Sequence, residues 1–447
     1  MITSPAFAGK RYAVLGLARS GLATVEALVA SGAQVTAWDR QDVARAKVDP
    51  ANVLLADPLE IDLTGYDGVV VSPGVPLNTH PISARARQFG VPVIGDIELF
   101  AQARPTLPSH KVVGITGTNG KSTTTALVNH ILQTAGLPAT MGGNIGLPIL
   151  AQDALPAGGV YVLELSSYQI DLTLGLDCDI AVLLNLTPDH LDRYDGFAGY
   201  AASKERLFAM QSAEHLAVVG PQVRLSRPTG ARFQQLDPSL TAGDQSSWPS
   251  LQGPHNRENI AAAIAVVEAL GVRRAVWEPA LASFTGLPHR MERFAEHGGV
   301  MFVNDSKATN TDSAAPALAA FPPERGGPRI HWIVGGLPKE DGLGACEPHL
   351  GNVKAAYTIG EAGPRFAHLL EDRVPVTRSE MLCEATRQAL AVAQPGDVVL
   401  LSPACASFDQ FRDYEQRGER FRQFVEALTE DPDGDPCAAE PSAERVA

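Results

Sequence analysis

The sequence predicts an α/β protein of three domains, each a largely parallel sheet flanked by helices. Three observations lead there. The chain has 447 residues, and at roughly 100–200 residues per domain that length makes two to four units with their own cores. Short apolar runs alternate with helix-like stretches, the order that gives parallel strands joined by right-handed crossovers. Two of those runs lead into glycine-bearing turns, at Gly16 and Gly117, that open helices.

In chain order, the first unit opens with a strand over Arg11 to Leu17, a helix over Ser20 to Ala30 closed by Gly32, and a strand over Gln34 to Trp38 ending at Asp39. Gly68 to Val71, ending at Ser72-Pro73-Gly74, and Val91 to Ile94 continue it, and Arg104 to His110 reads as a linker. A second strand–loop–helix starts at Lys111, and strands follow at Val160 to Glu164 and Ile180 to Asn185. Pro221 to Pro254, rich in Pro, Gly, Ser and Gln, reads as irregular or edge structure, and Ala261 to Leu270 as an apolar helix. The third unit begins near Gly298, with strands around Val300 to Val303, Ile330 to Val334, Ala356 to Ile359 and Val398 to Leu401. From Glu430 the composition is that of a disordered tail. The expected boundaries are 1–104 for a Rossmann-like first domain, 105–296 for a P-loop-type central domain, 297–429 for a Rossmann-like third domain and 430–447 for the tail.

Composition excludes several classes. Lys and Arg number 36 against 50 Asp and Glu, a formal charge of −14. Such a surface repels phosphate backbones, so no nucleic-acid partner is expected. No run approaches the roughly 18–20 apolar residues of a membrane span. Met1 to Lys10 lacks a basic region followed by an apolar run and a cleavage site, so a cytoplasmic location without membrane insertion is expected. The five cysteines are scattered, without CxxC spacing, and argue against a zinc cluster or disulfide framework. Cys405 reads as a buried apolar thiol.

The turn Gly16-Leu17-Ala18-Arg19-Ser20-Gly21 keeps two of the three glycines of a dinucleotide fingerprint. It serves either a pocket for a nucleotide or its diphosphate, completed by Ser72-Pro73-Gly74, or simply a tight strand–helix turn with Asp39 capping a loop. The stretch Gly117-Thr118-Asn119-Gly120-Lys121-Ser122-Thr123 is the sharper signal. Ile115 breaks the strict GxxxxGK[ST] spacing, yet backbone N–H groups, the Lys121 cation and a magnesium-facing Ser122 hydroxyl still make a phosphate cradle. Glu164 ends an apolar strand, His190 follows another, and Lys204 lies in a helical stretch. Alone, each reads as a cap, a structural histidine and a solvated lysine. Together they suggest that Ser122 and Glu164 hold one hard cation and that His190 serves a second.

The runs GTNGKST, TPDHLDRY, GPHNRENIAAA, LPHRMERF, NDSKATN and LLSPACASFDQFRDYEQRGERF together resemble the Mur ligase family of ATP-dependent amide-bond ligases, over about residues 5 to 428. Gly95-Asp96-Ile97-Glu98-Leu99-Phe100 and SPACASFDQF resemble the members that join D-glutamate to UDP-N-acetylmuramoyl-L-alanine in peptidoglycan synthesis. The resemblance implies a UDP-sugar domain, an ATP domain and an amino-acid domain, small-molecule substrates, and a monomer. It implies ATP phosphates on the 117–123 loop, a first Mg²⁺ on Ser122 and Glu164, and a second on His190 and a carbamylated Lys204. Asn256 and Asn259, which in isolation are equally well read as helix caps, fall on the adenine side, with Arg290, Asp305 and Lys307 also at the nucleotide. Asp39 and Arg40 resemble uracil contacts; Ser72, Asn78 and Asn144 resemble diphosphate and sugar contacts. Thr309, Lys339, Ser407 and Phe408 resemble the D-glutamate pocket.

Two departures stand out. The step from His190 to Lys204 is one residue shorter than the family's pattern, and Leu337 replaces the acidic residue usual after Gly335-Gly336. A sibling ligase for another amino acid and an inactive nucleotide-binding scaffold are the alternatives; retention of Lys121, Glu164, His190 and Lys204 weighs against the scaffold.

Overall fold

The computed structural model describes residues 1–189, 193–226, 228–237, 245–324, 326–338, 341–431, 434 and 437, with the backbone alone at 246, 249 and 255. His190 and Lys339 therefore lie outside the described residues, as does most of the expected tail.

Three sheets carry the chain. The first has five parallel strands in the order Val53–Leu55, Gln34–Trp38, Arg11–Leu15, Gly68–Val71, Val93–Ile94. The second has six, all parallel, in the order Arg232–Gln235, Leu216–Val219, Ile180–Leu183, His110–Thr116, Gly159–Glu164, Ala139–Gly143. The third has the order Glu292–His297, Val300–Asn304, Val398–Leu401, Ile330–Gly335, Val353–Ile359, Val376–Glu380, and only its first strand runs antiparallel. The central strands of each sheet are buried on both faces, which is why they read as unbroken apolar runs.

The chain divides into two units, one built on the first two sheets and the other on the third. In the first, one apolar core runs from Ile2, Phe7 and Val14 through Ile97 and Phe100 to Ile149, Tyr161 and Leu183, so it draws on both sheets. Polar contacts follow the same seam. Ile2 N–H donates to the Leu150 carbonyl at 3.0 Å. The buried Glu98 carboxylate accepts from the N–H groups of Leu174 at 2.7 Å and Gly175 at 2.9 Å.

Two expectations need correction. The helix expected over Ala261 to Leu270 spans Pro254–Ala269, because Pro at its first position needs no N–H partner. Asn256 and Asn259 therefore lie within the helix and are buried, at 3% exposure each, and are not its caps. The cysteines are not all unpaired either: Cys383 and Cys437 form a disulfide with Cα atoms 5.5 Å apart, across 54 residues of sequence that hid the pairing. Cys178, Cys346 and Cys405 are buried thiols. Among the described residues no helix is long and apolar enough to cross a membrane.

Candidate active site

Parallel strands deliver their following loops to one sheet edge, where ligands of open α/β sheets bind. In the central sheet, the strand His110–Thr116 ends in the 117–120 loop and the helix Lys121–Thr134 begins. Gly120 has φ +81°, and a Cβ there would stand 2.2 Å from Asn259 Oδ1, so only glycine lets the loop pass this close. Lys121 Nζ donates to the carbonyls of Gly117 at 3.0 Å and Thr118 at 2.8 Å, which folds the ammonium over the loop. Asn185 clasps the loop from the next strand: its Oδ1 accepts from Asn119 N–H at 2.8 Å and its Nδ2 donates to the Asn119 carbonyl at 3.1 Å.

Ser122, in the first turn of that helix, donates to Glu164, which ends the adjacent strand. Both are nearly inaccessible, at 2% and 1% exposure. Two facing oxygen donors are the set a hard divalent cation takes, and Mg²⁺ beside a phosphate loop fits them. Asn144 Nδ2 donates to the other Glu164 oxygen at 2.9 Å, so Asn144 orients the carboxylate. Among the described residues no three His, Cys, Asp or Glu side chains converge on a metal of their own.

Lys204 is not a solvated lysine. Its helix, Gly196–Ala209, turns it inward to 2% exposure, where Nζ donates to the Gly117 carbonyl at 2.9 Å and lies 4.7 Å from the Tyr200 ring. Burial, and next the Lys121 charge, bring its pKa down to about 7. Lys204 thus faces the phosphate loop from its helix.

In the first sheet, Asp39 Oδ2 accepts from Leu17 N–H at 2.7 Å and Oδ1 from Gln41 N–H at 2.9 Å. Ser72 Oγ donates to the Gly16 carbonyl at 3.0 Å, and a Cβ on Gly16 would stand 2.8 Å from that hydroxyl. The turn is thus held by both residues, while Arg40 and Asn78 are exposed.

In the third sheet, the strands Val300–Asn304, Val398–Leu401 and Ile330–Gly335 are neighbours and bring three motif loops together. Asp305 accepts from Ser402 Oγ at 2.7 Å and Met291 N–H at 3.1 Å, and burial raises its pKa to about 7. Arg290 lies close enough to oppose that rise. Leu337 and Ala406 exchange backbone hydrogen bonds at 2.9 and 3.0 Å, which ties the loop after Gly335-Gly336 to the loop that carries Ser407. Ser407 is buried at 2%, whereas its neighbour Phe408 is 69% exposed. The ring beside the Lys307 ammonium, at 4.9 Å, is Tyr414. Thr309 is half-buried on the loop between Lys307 and the helix Thr311–Ala319.

Tyr414 and Arg417 were not singled out from the sequence. Arg417 is 1% exposed and donates to Ser306 Oγ at 3.0 Å and to the carbonyls of Ser306 at 2.8 Å, Cys405 at 3.0 Å and Ala406 at 3.2 Å. It pins two motif loops to the helix Tyr414–Glu430. Its place could have been read from spacing: 417, 421, 424 and 428 form one helical stripe whose other members are Phe421, Phe424 and Leu428.

A parallel sheet that ends in a Gly-Lys-Ser loop, backed by a buried carboxylate on the next strand, defines the class: a nucleotide-phosphate-binding enzyme of the P-loop type. Family models match the chain at residues 10–95 (Mur ligase MurD-like, N-terminal domain), 115–227 (Mur ligase middle domain) and 289–405 (Mur ligase, glutamate ligase domain). The chain belongs to the Mur ligase family. It is 65% identical to the UDP-N-acetylmuramoylalanine--D-glutamate ligase of Novosphingobium aromaticivorans, over 98% of this chain and 100% of that one. It is 60% identical to the enzyme of the same name from Sphingopyxis alaskensis, over 96% and 100%. Among solved structures, MurF ligase from Thermotoga maritima in complex with ADP matches with a TM-score of 0.59 at 17% identity, over 95% of this chain and 96% of that one. The UDP-N-acetylmuramate-alanine ligase MurC of the same organism matches at 0.56 and 17%, over 94% and 99%. At that identity the structures speak for the fold.

Proposed function

We propose that this chain is an ATP-dependent ligase that joins D-glutamate to UDP-N-acetylmuramoyl-L-alanine in peptidoglycan synthesis. The observation that carries the reading is the Ser122–Glu164 pair beside the Lys121 loop and the buried Lys204, in a chain so similar to two ligases of that name. A free carboxylate is a poor electrophile, so it must first be activated. The acceptor carboxylate attacks the γ-phosphorus of ATP, forming an acyl phosphate and releasing ADP. The D-glutamate amine attacks the activated carbonyl, loses its proton, and phosphate leaves as the amide forms. Catalysis of this kind is chiefly positioning and charge neutralisation.

The chain's residues divide that work. The N–H groups of 117–123 and the Lys121 ammonium seat the triphosphate. Ser122 and Glu164 would hold Mg²⁺, with Asn144 fixing the carboxylate. When bound, that ion neutralises charge on the phosphate oxygens. Lys204 with a pKa of about 7 has a populated neutral amine at neutral pH; that is the form that adds to CO₂, losing a proton to give a carbamate. Such an oxygen ligand, with His190, would hold a second Mg²⁺. Asn256, Asn259, Arg290, Asp305 and Lys307 contact the nucleotide in this reading, and Asp39, Arg40, Ser72, Asn78 and Asn144 the UDP-sugar. Thr309, Lys339, Ser407 and Phe408 contact D-glutamate. The reading also makes the protein a cytoplasmic monomer with the three domains bounded at about residues 104, 296 and 429.

The test is phosphate release from ATP with an amino-acid screen. Release that requires both UDP-N-acetylmuramoyl-L-alanine and D-glutamate is expected. Release with L-alanine or meso-diaminopimelate, and none with D-glutamate, overturns the assignment.

A further inference from the structure

One arginine joins loops from two different sheets. Arg193 follows the central strand Ile180–Leu183, and its Nη2 donates to the Gly74 carbonyl at 3.2 Å, in the loop after the first-sheet strand Gly68–Val71. Its guanidinium lies over the Tyr168 ring, 4.6 Å from the centroid. A planar cation stacked on a ring and donating from its edge is fixed in two directions at once. From Tyr168 the rings continue inward. Tyr168 stacks on Tyr194 at 6.1 Å, Tyr194 packs on Tyr200 at 5.6 Å, and Tyr200 carries the Lys204 ammonium. Hydrogen bonds tie the ladder down: Tyr194 donates to Asp171 at 2.8 Å, and the Tyr200 hydroxyl pairs with Thr118 Oγ1 of the phosphate loop at 3.2 Å.

We propose that Arg193 is a positioning residue for the acceptor. By clamping the 72–74 loop to Tyr168, it sets the spacing between the acceptor's loop and the phosphate loop, and hence the approach of the acceptor carboxylate to the γ-phosphorus. The inference rests on the function proposed above. A structural role alone would lower stability or all substrate affinities together; a clamp on one loop weakens one substrate.

Steady-state kinetics on the full chain separate these. Arg193→Ala raises the KM for UDP-N-acetylmuramoyl-L-alanine about tenfold, the cost of one hydrogen bond from a charged donor, while the KM for ATP stays within about twofold. Arg193→Lys, which keeps a cation and a donor, recovers part of the loss and serves in its place if the alanine variant folds poorly. Tyr168→Leu gives the same selective change, and the double variant is no worse than either single one. An unchanged acceptor KM, or equal rises for acceptor and ATP, overturns the clamp. Wild-type protein inactive with D-glutamate instead overturns the function, so the two failures are distinguishable.

Discussion

Lys204 at 2% exposure and Glu164 at 1% owe their chemistry to burial. If Lys204 acts as a carbamate, Lys204→Ala lowers phosphate release on the order of a hundredfold or more, and added short-chain carboxylic acids restore part of it by supplying the missing oxygens. A full wild-type rate in the alanine variant removes the carbamate. Asp96 is another case, remote from the chemistry. It begins the helix Asp96–Ala103, is buried at 4% exposure, and its Oδ2 has no partner; burial raises its pKa from 3.8 to about 6. The unfolded chain gives up this proton near 3.8, the folded one only near 6, so the native state binds more protons in between. Stability from this group is full at acid pH and is lost as pH rises through about 6. Thermal melts should show Asp96→Asn gaining on the wild type between pH 4.5 and 8; a constant difference across that range would sink the claim. The phosphate-loop residues were legible because their types only make sense together. Asn144 was legible as a diphosphate or sugar contact through the resemblance, but its hydrogen bond to Glu164 was not, and neither was the inward-facing Arg417, since a single amide or arginine carries no sign of its partner.

Several elements with apolar interiors were legible almost to the residue: Gln34–Trp38, Gly68–Val71 and Val398–Leu401 match the expectation, whereas the buried inner strand Leu216–Val219 does not appear in it. Edge strands were less so, Val93–Ile94 within the expected Val91 to Ile94 being the exception. Arg232–Gln235 is exposed along its length, Ala139–Gly143 ends in two glycines, and the antiparallel Glu292–His297 is charged at both ends, so none shows the buried run that marks a central strand. The polar first turns of the helix Pro254–Ala269 hide its start in the sequence; Asn259 there accepts from Thr124 Oγ1 at 3.3 Å, just past the phosphate loop. That close packing predicts the effect of Gly120→Ala. The new Cβ collides with Asn259 Oδ1 at a backbone angle side chains avoid, and ATP affinity in a fluorescent-nucleotide titration falls more than about tenfold. Wild-type affinity would mean that the loop relaxes freely. Arg417→Met leaves four acceptors on two motif loops without their donor, a loss of about 2–4 kcal/mol, readable as a lower denaturant midpoint. A midpoint shift near zero would show that those acceptors find other donors.

For the whole molecule, the sequence divides the chain into three, whereas its contacts divide it into two. The difference is physical: each sheet has its own strand order, but the first two bury one continuous core. Calorimetry should therefore resolve two unfolding transitions, one for each unit. Three separate transitions would show that the first and central sheets melt independently. The formal charge of −14 keeps the surface poorly suited to polyanions, so selectivity for a small phosphate ligand rests on the local cradle of loop amides and Lys121.

The seam where Ile2 meets Leu150 and Glu98 meets Leu174 and Gly175 also limits recombination between relatives. A crossover near residue 104 would set one parent's Phe100 and Ile97 against another parent's Tyr161 and Ile149. Chimeras that exchange acceptor preference should survive when the breakpoint falls beyond the central strands and fail when it splits them from the first sheet.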